Sequence, residues 1–403
     1  MHNFNSGDKS MKRILVTGSN GFVGKNTVVA LKEANKYEIL TIDRNNTEGE
    51  LKEAVLNADF IVHLAGVNRP KETKEFYEGN GGLTEQIVGF LRDNNKNTPI
   101  LITSSTHAVL DNDYGKSKKQ SEDVLIKYSD ECDAKVYIFR LPNLFGKWCR
   151  PNYNSAVSTF CYNIAHDLDV WVNDPAIELN LVYIDDVVSS IMDCIEDENI
   201  IKLKNIDEEV AITTTGASSI QIDKYYYEVT TIYKRTLGNI VDSLKMFRNM
   251  RKSLLIPDLS DGFNKALYST YLTYLEEDDF SYYLDKKEDN RGWLAELVKS
   301  EQFGQMFVSK THPGITRGNH WHHTKTEKFI VIQGQAAIRF RKLDEDKVIE
   351  YIVDGEKPQV LDIPPGYTHS IENIGQDEVI TLFWSNEMFN PEKPDTYYLE
   401  VNK

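Results

Sequence analysis

Hydrophobic and polar positions alternate in two different rhythms along this chain. From Arg13 to about Glu196, short apolar runs (Ile14–Val16, Ile39–Ile42, Phe60–Leu64, Ile100–Ile102 and Val136–Phe139) are separated by helix-length amphipathic stretches. Short apolar runs bounded by polar turns predict buried strands, and the stretches between them predict helices packed on the strands. That alternation predicts an α/β, doubly wound parallel sheet with helices on both faces. Leu237–Arg251 predicts one further helix. Residues 257–290 are rich in Tyr, Asp and Glu, with Pro257 and Gly262 as breakers, and their aromatics predict a packed connector. After Gly292 short strands with frequent Gly and Pro take over (Phe329–Val331, Ala337–Phe340, Ile349–Val353, Val379–Trp384), the pattern of an all-β barrel. The expected organisation is an α/β domain over 11–255, a connector over 256–290 and an all-β domain over 291–403. Residues 1–10 are polar, precede a second Met at position 11, and read as a disordered extension. No internal repeat, heptad pattern or low-complexity tract is present.

At 403 residues the chain exceeds one ordinary core, consistent with two domains. Its formal net charge of −16 and the lack of a basic stripe argue against nucleic acid as a partner. Cys132, Cys149, Cys161 and Cys194 are scattered, with no CxxC pair, as expected of reduced thiols in the cytoplasm. No apolar run reaches membrane-spanning length, so no membrane insertion is expected, and no secretory segment opens the chain.

Thr17-Gly18-Ser19-Asn20-Gly21-Phe22-Val23-Gly24 follows the first strand and opens a helix. Glycines there permit a tight turn and let a pyrophosphate approach the backbone, and the helix N-terminus offers N–H groups and partial positive charge. The second strand ends Ile42-Asp43-Arg44. An acid at this point suits a ribose 2′-hydroxyl and an arginine a 2′-phosphate; Arg44, with no other evident task, tips the reading to NADP(H). Tyr114-Gly-Lys-Ser-Lys118 places a phenol and an ammonium four residues apart, on one helical face. The ammonium stabilises a phenolate, so the pair can hand a proton to a carbonyl while a cofactor moves a hydride.

In the second half, Gly318-Asn-His320-Trp-His322-His323-Thr-Lys-Thr-Glu327 is followed by Pro364-Pro-Gly366-Tyr-Thr-His369. Imidazoles two apart on a strand share a face, so His320 and His322 can meet one ion together with Glu327 and His369. Three imidazoles and a carboxylate suit zinc, manganese, iron or nickel, and zinc is favoured.

These motifs carry two resemblances. Residues 12 to about 250 resemble the extended short-chain dehydrogenases/reductases that act on nucleotide sugars, which have a Rossmann fold. Phe60-Ile-Val-His-Leu64-Ala65-Gly66, with Leu64 and Ala65 on the cofactor, and Asn80, as a structural asparagine, match that family. So does Leu101-Ile-Thr-Ser104-Ser105-Thr106, which implies Ser105 as the catalytic hydroxyl, with Ser104 and Thr106 as alternatives. Arg140-Leu-Pro-Asn143-Leu-Phe-Gly146 resembles the sugar-pocket segment, which implies substrate contact at Asn143, and Tyr183-Ile-Asp-Asp-Val187 resembles a later element near the nucleotide. The interval from Ser105 to Tyr114 is shorter than in most members. The two histidine segments resemble the boxes of the cupin superfamily. Asp289-Asn-Arg291-Gly-Trp-Leu-Ala-Glu296 and Arg317-Gly-Asn-His320 also resemble keto-sugar epimerases in which the matching histidine is a metal-free base, which implies Arg317 and His320 at the substrate. One imidazole nitrogen cannot bind metal and accept a proton, so with metal bound the base becomes His323 or Tyr367.

The tandem order resembles the two-domain enzymes of capsular polysaccharide synthesis. That implies C3 epimerisation and then NADPH-dependent C4 reduction of a UDP-2-acetamido-2,6-dideoxy-4-keto-hexose by a homodimer. The product implied is UDP-2-acetamido-2,6-dideoxy-L-talose, on the path to UDP-N-acetyl-L-fucosamine. The alternative is a plain 4-keto-sugar reductase whose barrel only binds sugar or pairs subunits.

Overall fold

The computed structural model describes residues 11–202 and 217–402; the extension expected over 1–10 lies outside them. The chain divides into two compact units. The first runs to Asp242 and takes in Ser269–Tyr274; the second comprises Ser243–Tyr268 and the chain from Leu275 onward. The segment read as a connector is thus shared between the two, and it carries a helix over Gly262–Leu272. The helix expected from Leu237 is present as Leu237–Ser253.

The first unit is built on strands β1 (Lys12–Thr17), β2 (Tyr37–Ile42), β3 (Phe60–His63), β4 (Ile100–Ser105) and β5 (Val136–Leu141). They are parallel neighbours in the order β2-β1-β3-β4-β5. Sheet alternation sends Ile14 and Val16 to one face, where Leu31, Val187 and Ile191 cover them. Leu15 goes to the other face, under Leu51, Val55, Leu91 and Leu125. A sheet buried on both faces explains why these strands read as unbroken apolar runs. Strand order reverses between β1 and β3, and the crevice at such a switch point is where sheets of this type bind ligands.

The helices that matter for the site are α1 (Phe22–Ala34), α2 (Glu48–Asn57), a single turn α3 (Lys74–Tyr77), α4 (Leu83–Asp93) and α5 (Asp113–Cys132). Asn112 caps α5 by accepting from the Gly115 N–H at 2.8 Å. After β5 come β6 (Asn143–Phe145), α6 (Ala156–Ala165), β7 (Glu178–Tyr183) and α7 (Ile184–Glu196). The short strands β8 (Ile200–Lys202), β9 (Ser219–Gln221) and β10 (Tyr226–Val229) extend the main sheet beyond β5, while β11 (Tyr233–Thr236) joins β6 and β7 in a small one.

The second unit holds two antiparallel sheets, the all-β architecture its alternation predicts. One contains β12 (Lys286–Asp289), β13 (Gly292–Ser300), β14 (Gly304–Thr311), β16 (Glu327–Gln333), β19 (Val360–Ile363) and β21 (Val379–Ser385). The other contains β15 (Thr316–Trp321), β17 (Gln335–Lys342), β18 (Val348–Asp354), β20 (Tyr367–Asn373) and β22 (Tyr397–Tyr398). Phe329, Val331, Ile338, Phe340, Ile371 and Phe383 form the core between them. Among the described residues no helix is long and apolar enough to cross a membrane.

Candidate active site

The glycine loop closes onto the ends of β2 and β3. Gly18 adopts φ +68°, donates its N–H to Ile42 O at 2.8 Å, and leaves no room for a side chain, since a Cβ there would sit 2.7 Å from Ala65 N. Gly24 is equally constrained, because its Cβ would meet Gly18 O at 2.1 Å. Gly21 precedes Phe22 and Val23 as the N-cap of α1, so the first turn of the helix points its N–H groups out of the loop. Asn20 N–H donates to Asp43 Oδ2 at 2.8 Å, and Arg44 N–H to Asp43 Oδ1 at 2.7 Å. Both Asp43 oxygens therefore already have backbone partners, while the exposed Arg44 guanidinium has none among the described residues. Leu64 and Ala65 leave β3 against the loop, their N–H groups donating to Thr17 O and Thr17 Oγ1.

Strand alternation separates the two serines at the end of β4. Ser104 turns into the protein and donates to Glu122 at 2.6 Å. Ser105 is the one brought to Tyr114: burial pushes the phenol up, and a hydrogen bond with Ser105 pulls it back down. Thr106 is exposed in the turn beyond. Phe76 and His107 flank the Tyr114 ring at 5.7 and 6.2 Å between centroids. Lys118, one turn further along α5, is buried, and burial lowers its ammonium to about 8 against the opposing pull of Glu122. It packs beside Gly66, where a Cβ would lie 3.1 Å from Lys118 Nζ. Asn80 Oδ1 accepts from Val67 N–H at 2.9 Å while its Nδ2 donates to Ser117 Oγ at 2.9 Å, fixing the chain after β3 to α5. Asn143, at the start of β6, is exposed.

Two further groups hold this site and were not singled out from the sequence. Glu122 is fully buried and accepts from Ser104, Arg140 Nε at 3.0 Å, Arg140 Nη2 at 2.5 Å and Tyr226 Oη at 2.9 Å. His63 bridges Thr17 Oγ1 (2.7 Å) and Thr84 Oγ1 (3.0 Å); burial, reinforced by Lys118, pushes its imidazole down to about 3, so it is neutral. The spacing Lys118–Glu122 is itself helical, a signal available in the sequence; nothing local marks His63 as more than a strand residue.

In the second unit His320, His322, Glu327 and His369 converge, one ligand atom from each lying within 4.8 Å of the others. His322 Nε2 and His369 Nε2 are both 3.4 Å from Glu327 Oε2. Both nitrogens are buried and make no hydrogen bond. Burial acts to raise the Glu327 carboxyl, but the two imidazoles outweigh it and hold it below its ordinary range. Burial and then His369 push His320 down to about 4, leaving its lone pair free at neutral pH. Buried imidazole nitrogens without partners, gathered around a carboxylate, fit a divalent metal. His322 Nδ1 faces Asp395 O at 2.6 Å, so Nδ1 carries the proton and Nε2 the lone pair. The Asp395 carboxylate accepts from the N–H groups of His323, Thr324 and Lys325, each at 2.9 Å. Asp395 lies 73 residues from His322, beyond any local motif.

A bulge sets what accompanies this cluster. Arg317 pairs with Ile371 and His320 with His369, the register shifting between Gly318 and His320. Asn319 is the extra residue, at φ +57°. Because Ile371 and His369 share a face, Arg317 and His320 do too, although an unbroken strand would have set them on opposite faces. Arg317 Nε donates to Thr311 Oγ1 at 3.1 Å. Tyr367, two residues before His369 on β20, faces the same way. His323, expected as a catalytic group, is not brought to the cluster. Its exposed ring lies beyond the end of β15 and packs on Trp321 and Tyr397, at 4.5 and 5.0 Å between centroids.

Comparison with known proteins agrees with both halves. Residues 14–202 match the NAD dependent epimerase/dehydratase family, and residues 287–397 match the polysaccharide biosynthesis C-terminal domain. The crystal structure of the capsular polysaccharide assembling protein CapF from Staphylococcus aureus superposes with a TM-score of 0.86 at 46% identity, covering 96% of this chain and 99% of that one. The chain belongs to the CapF family. Another full-length relative, 42% identical over 97% of this chain and 99% of its own length, is the UDP-2-acetamido-2,6-beta-L-arabino-hexul-4-ose reductase of Pseudomonas aeruginosa. The spore coat polysaccharide biosynthesis protein SpsL of Bacillus subtilis is 30% identical over 28% of this chain and 81% of its own. The tandem order of a CapF-family protein is therefore present from end to end.

Proposed function

We propose that the chain carries out two successive reactions on a UDP-2-acetamido-2,6-dideoxy-4-keto-hexose. The barrel epimerises C3, and the Rossmann unit then reduces the C4 ketone with NADPH. The product in this reading is UDP-2-acetamido-2,6-dideoxy-L-talose, a precursor of UDP-N-acetyl-L-fucosamine for capsular polysaccharide. The observation that carries the proposal is the convergence of His320, His322, Glu327 and His369 in a chain that also aligns Ser105, Tyr114 and Lys118. The name of the Pseudomonas aeruginosa relative supports the reductive half.

One ketone serves both steps. Its carbonyl acidifies the C3 hydrogen, and loss of that proton gives an enolate; return of a proton to the opposite face inverts the centre. His320, His322, Glu327 and His369 would hold a divalent metal such as zinc, which would supply Lewis acidity when bound. With His320 engaged as a ligand, we assign removal of the C3 proton to Tyr367, which shares the strand face of His369, with the opposite-face proton coming from solvent, and substrate contact to Arg317 on the same face as His320. In the reductase, the loop from Gly18 to Gly24 and Arg44 would hold NADPH by its pyrophosphate and 2′-phosphate, and the cofactor would supply the hydride when bound. Tyr114 donates its phenolic proton to the C4 oxygen, Ser105 hydrogen-bonds that oxygen, and the Lys118 ammonium stabilises the phenolate left behind.

Deuterium wash-in tests the epimerase half. The keto-sugar incubated with metal-replete enzyme in deuterium oxide, without NADPH, gains deuterium at C3, and His320→Ala and Tyr367→Phe abolish the exchange. Absence of exchange with the wild-type protein removes the epimerase from the reading and leaves a keto-sugar reductase. Faster turnover with NADH than with NADPH overturns the cofactor assignment.

A further inference from the structure

Acidic residues outnumber basic ones in this chain, 62 to 46, so a guanidinium with no acidic partner stands out. In the first unit Arg13 pairs with Asp59, Arg92 with Glu131 and Arg140 with Glu122. Arg44, assigned to the cofactor, has none among the described residues, and Arg69 and Arg150 are the further cases. Both are exposed, and neither has a carboxylate partner among the described residues. Instead both stack on one ring: the Arg69 guanidinium lies 5.6 Å and the Arg150 guanidinium 5.5 Å from the Tyr153 centroid. Arg69 Nε also donates to Asn154 Oδ1 at 2.9 Å, which fixes the direction of its fork and leaves its terminal nitrogens free. Stacking on an aromatic face preorganises a guanidinium and lowers the entropy lost when it binds.

Like charges gathered without a counter-ion disfavour each other, and the arrangement gains stability when an anion joins them. Its position says which anion. Arg69 follows β3 by six residues, and the intervening chain is pinned to α5 through Val67 and Asn80 and touches Lys118 at Gly66. Arg150 and Tyr153 follow β6, whose first residue is Asn143. Both loops leave the C-terminal ends of parallel strands, the edge at which such sheets bind ligands. The cofactor's phosphates have separate seats in the proposed function, the pyrophosphate at the glycine loop between β1 and α1 and the 2′-phosphate at Arg44. The keto-deoxy-acetamido sugar is uncharged, so the fixed negative charge of the substrate lies in its diphosphate.

We infer that Arg69 and Arg150, braced on Tyr153, form the subsite for the diphosphate of the UDP-sugar in the reductase unit. This rests on the proposed function for the identity of the sugar, though binding of UDP can be read without any turnover. Two guanidinia over one ring suit two adjacent phosphoryl groups, each arginine taking oxygens of one phosphate through its fork.

Calorimetric titration of the NADPH-loaded protein with UDP and with uridine isolates the phosphate contribution. For the wild type, UDP is expected to bind at least about 30-fold more tightly than uridine, with an affinity that falls as salt rises. In Arg69→Gln/Arg150→Gln the preference for UDP is expected to drop to about threefold and its salt dependence to flatten, while uridine affinity holds. In steady-state assays each single variant is expected to raise the KM for the UDP-keto-sugar about tenfold, without a matching rise in the KM for NADPH. Arg69→Lys is expected to recover part of the loss, which a purely structural role would not produce. An unchanged preference for UDP in the double variant overturns the subsite, and so does a loss confined to NADPH. A wild type that binds UDP in this way but leaves the keto-sugar unreduced overturns the proposed function and not the subsite.

Discussion

At the scale of single residues, the reductase assigns different jobs to neighbouring groups of similar chemistry. Ser104 and Ser105 are adjacent hydroxyls, yet one is committed to Glu122 and the other to Tyr114. Tyr114→Phe is therefore expected to slow NADPH oxidation about 100-fold or more while leaving C3 deuterium exchange intact, as followed by absorbance and by NMR. His63 gives an acid-stability signature. Its folded pKa of about 3 lies below the ordinary 6.5, so the unfolded chain binds the proton first. The stabilisation is complete above pH 6.5, declines as pH falls, and levels off near pH 3. Between pH 6.5 and 5 about 2 kcal/mol is expected to be lost. His63→Gln, which retains hydrogen-bonding capacity without a titrating ring, is expected to lose about 2 kcal/mol less over that interval in urea unfolding. The metal-type ligands, Tyr114 and Lys118 could be found by spacing alone, because a strand or helix period fixes which side chains share a face. His63 could not, because its role depends on Thr17 and Thr84, 46 and 21 residues away.

At the scale of elements, the helix α5 and the loop after β15 show how a site is aimed. Glu122 draws donors from β4, β5 and β10 onto α5, so the helix carrying Tyr114 and Lys118 cannot roll. Glu122→Gln is expected to cost about 2–3 kcal/mol of unfolding free energy, less than breaking a fully buried pair because Arg140 is partly exposed. In the barrel, Asp395 gathers three backbone N–H groups and orients His322 through its carbonyl. Asp395→Ala is expected to weaken metal binding 10- to 100-fold in chelator competition. The strands and helices themselves were readable, since burial on two faces or one leaves a continuous or alternating apolar pattern. The bulge at Asn319 was not. A strict period of two places Arg317 away from His320, and only the pairing with β20 reveals the inserted residue.

At the scale of the whole molecule, the proposed epimerisation and the proposed reduction draw on separate side chains of one chain. Tyr114→Phe is expected to retain epimerisation and His320→Ala to retain reduction of the epimerised ketone. An equimolar mixture of the two variants, given the starting keto-sugar and NADPH, is therefore expected to form the reduced product that neither forms alone, as followed by NMR. No product from the mixture would mean that the intermediate never leaves the protein that made it. The fold class was legible throughout because the change in hydrophobic rhythm near Gly292 marks a change in architecture. The division into compact units was less so: the units exchange short segments around Asp242 and Ser269–Tyr274, and contacts made by separate pieces of chain leave no local signature.

The inserted Asn319 also bears on how such proteins diverge. Deleting that single position would leave His320 in register with His369 on β20 while turning Arg317 to the opposite face of the sheet. The metal-holding and substrate-holding roles proposed for these residues, which look inseparable in the sequence string, can thus be inherited or discarded independently, by a one-codon change in length and with no exchange of side chains.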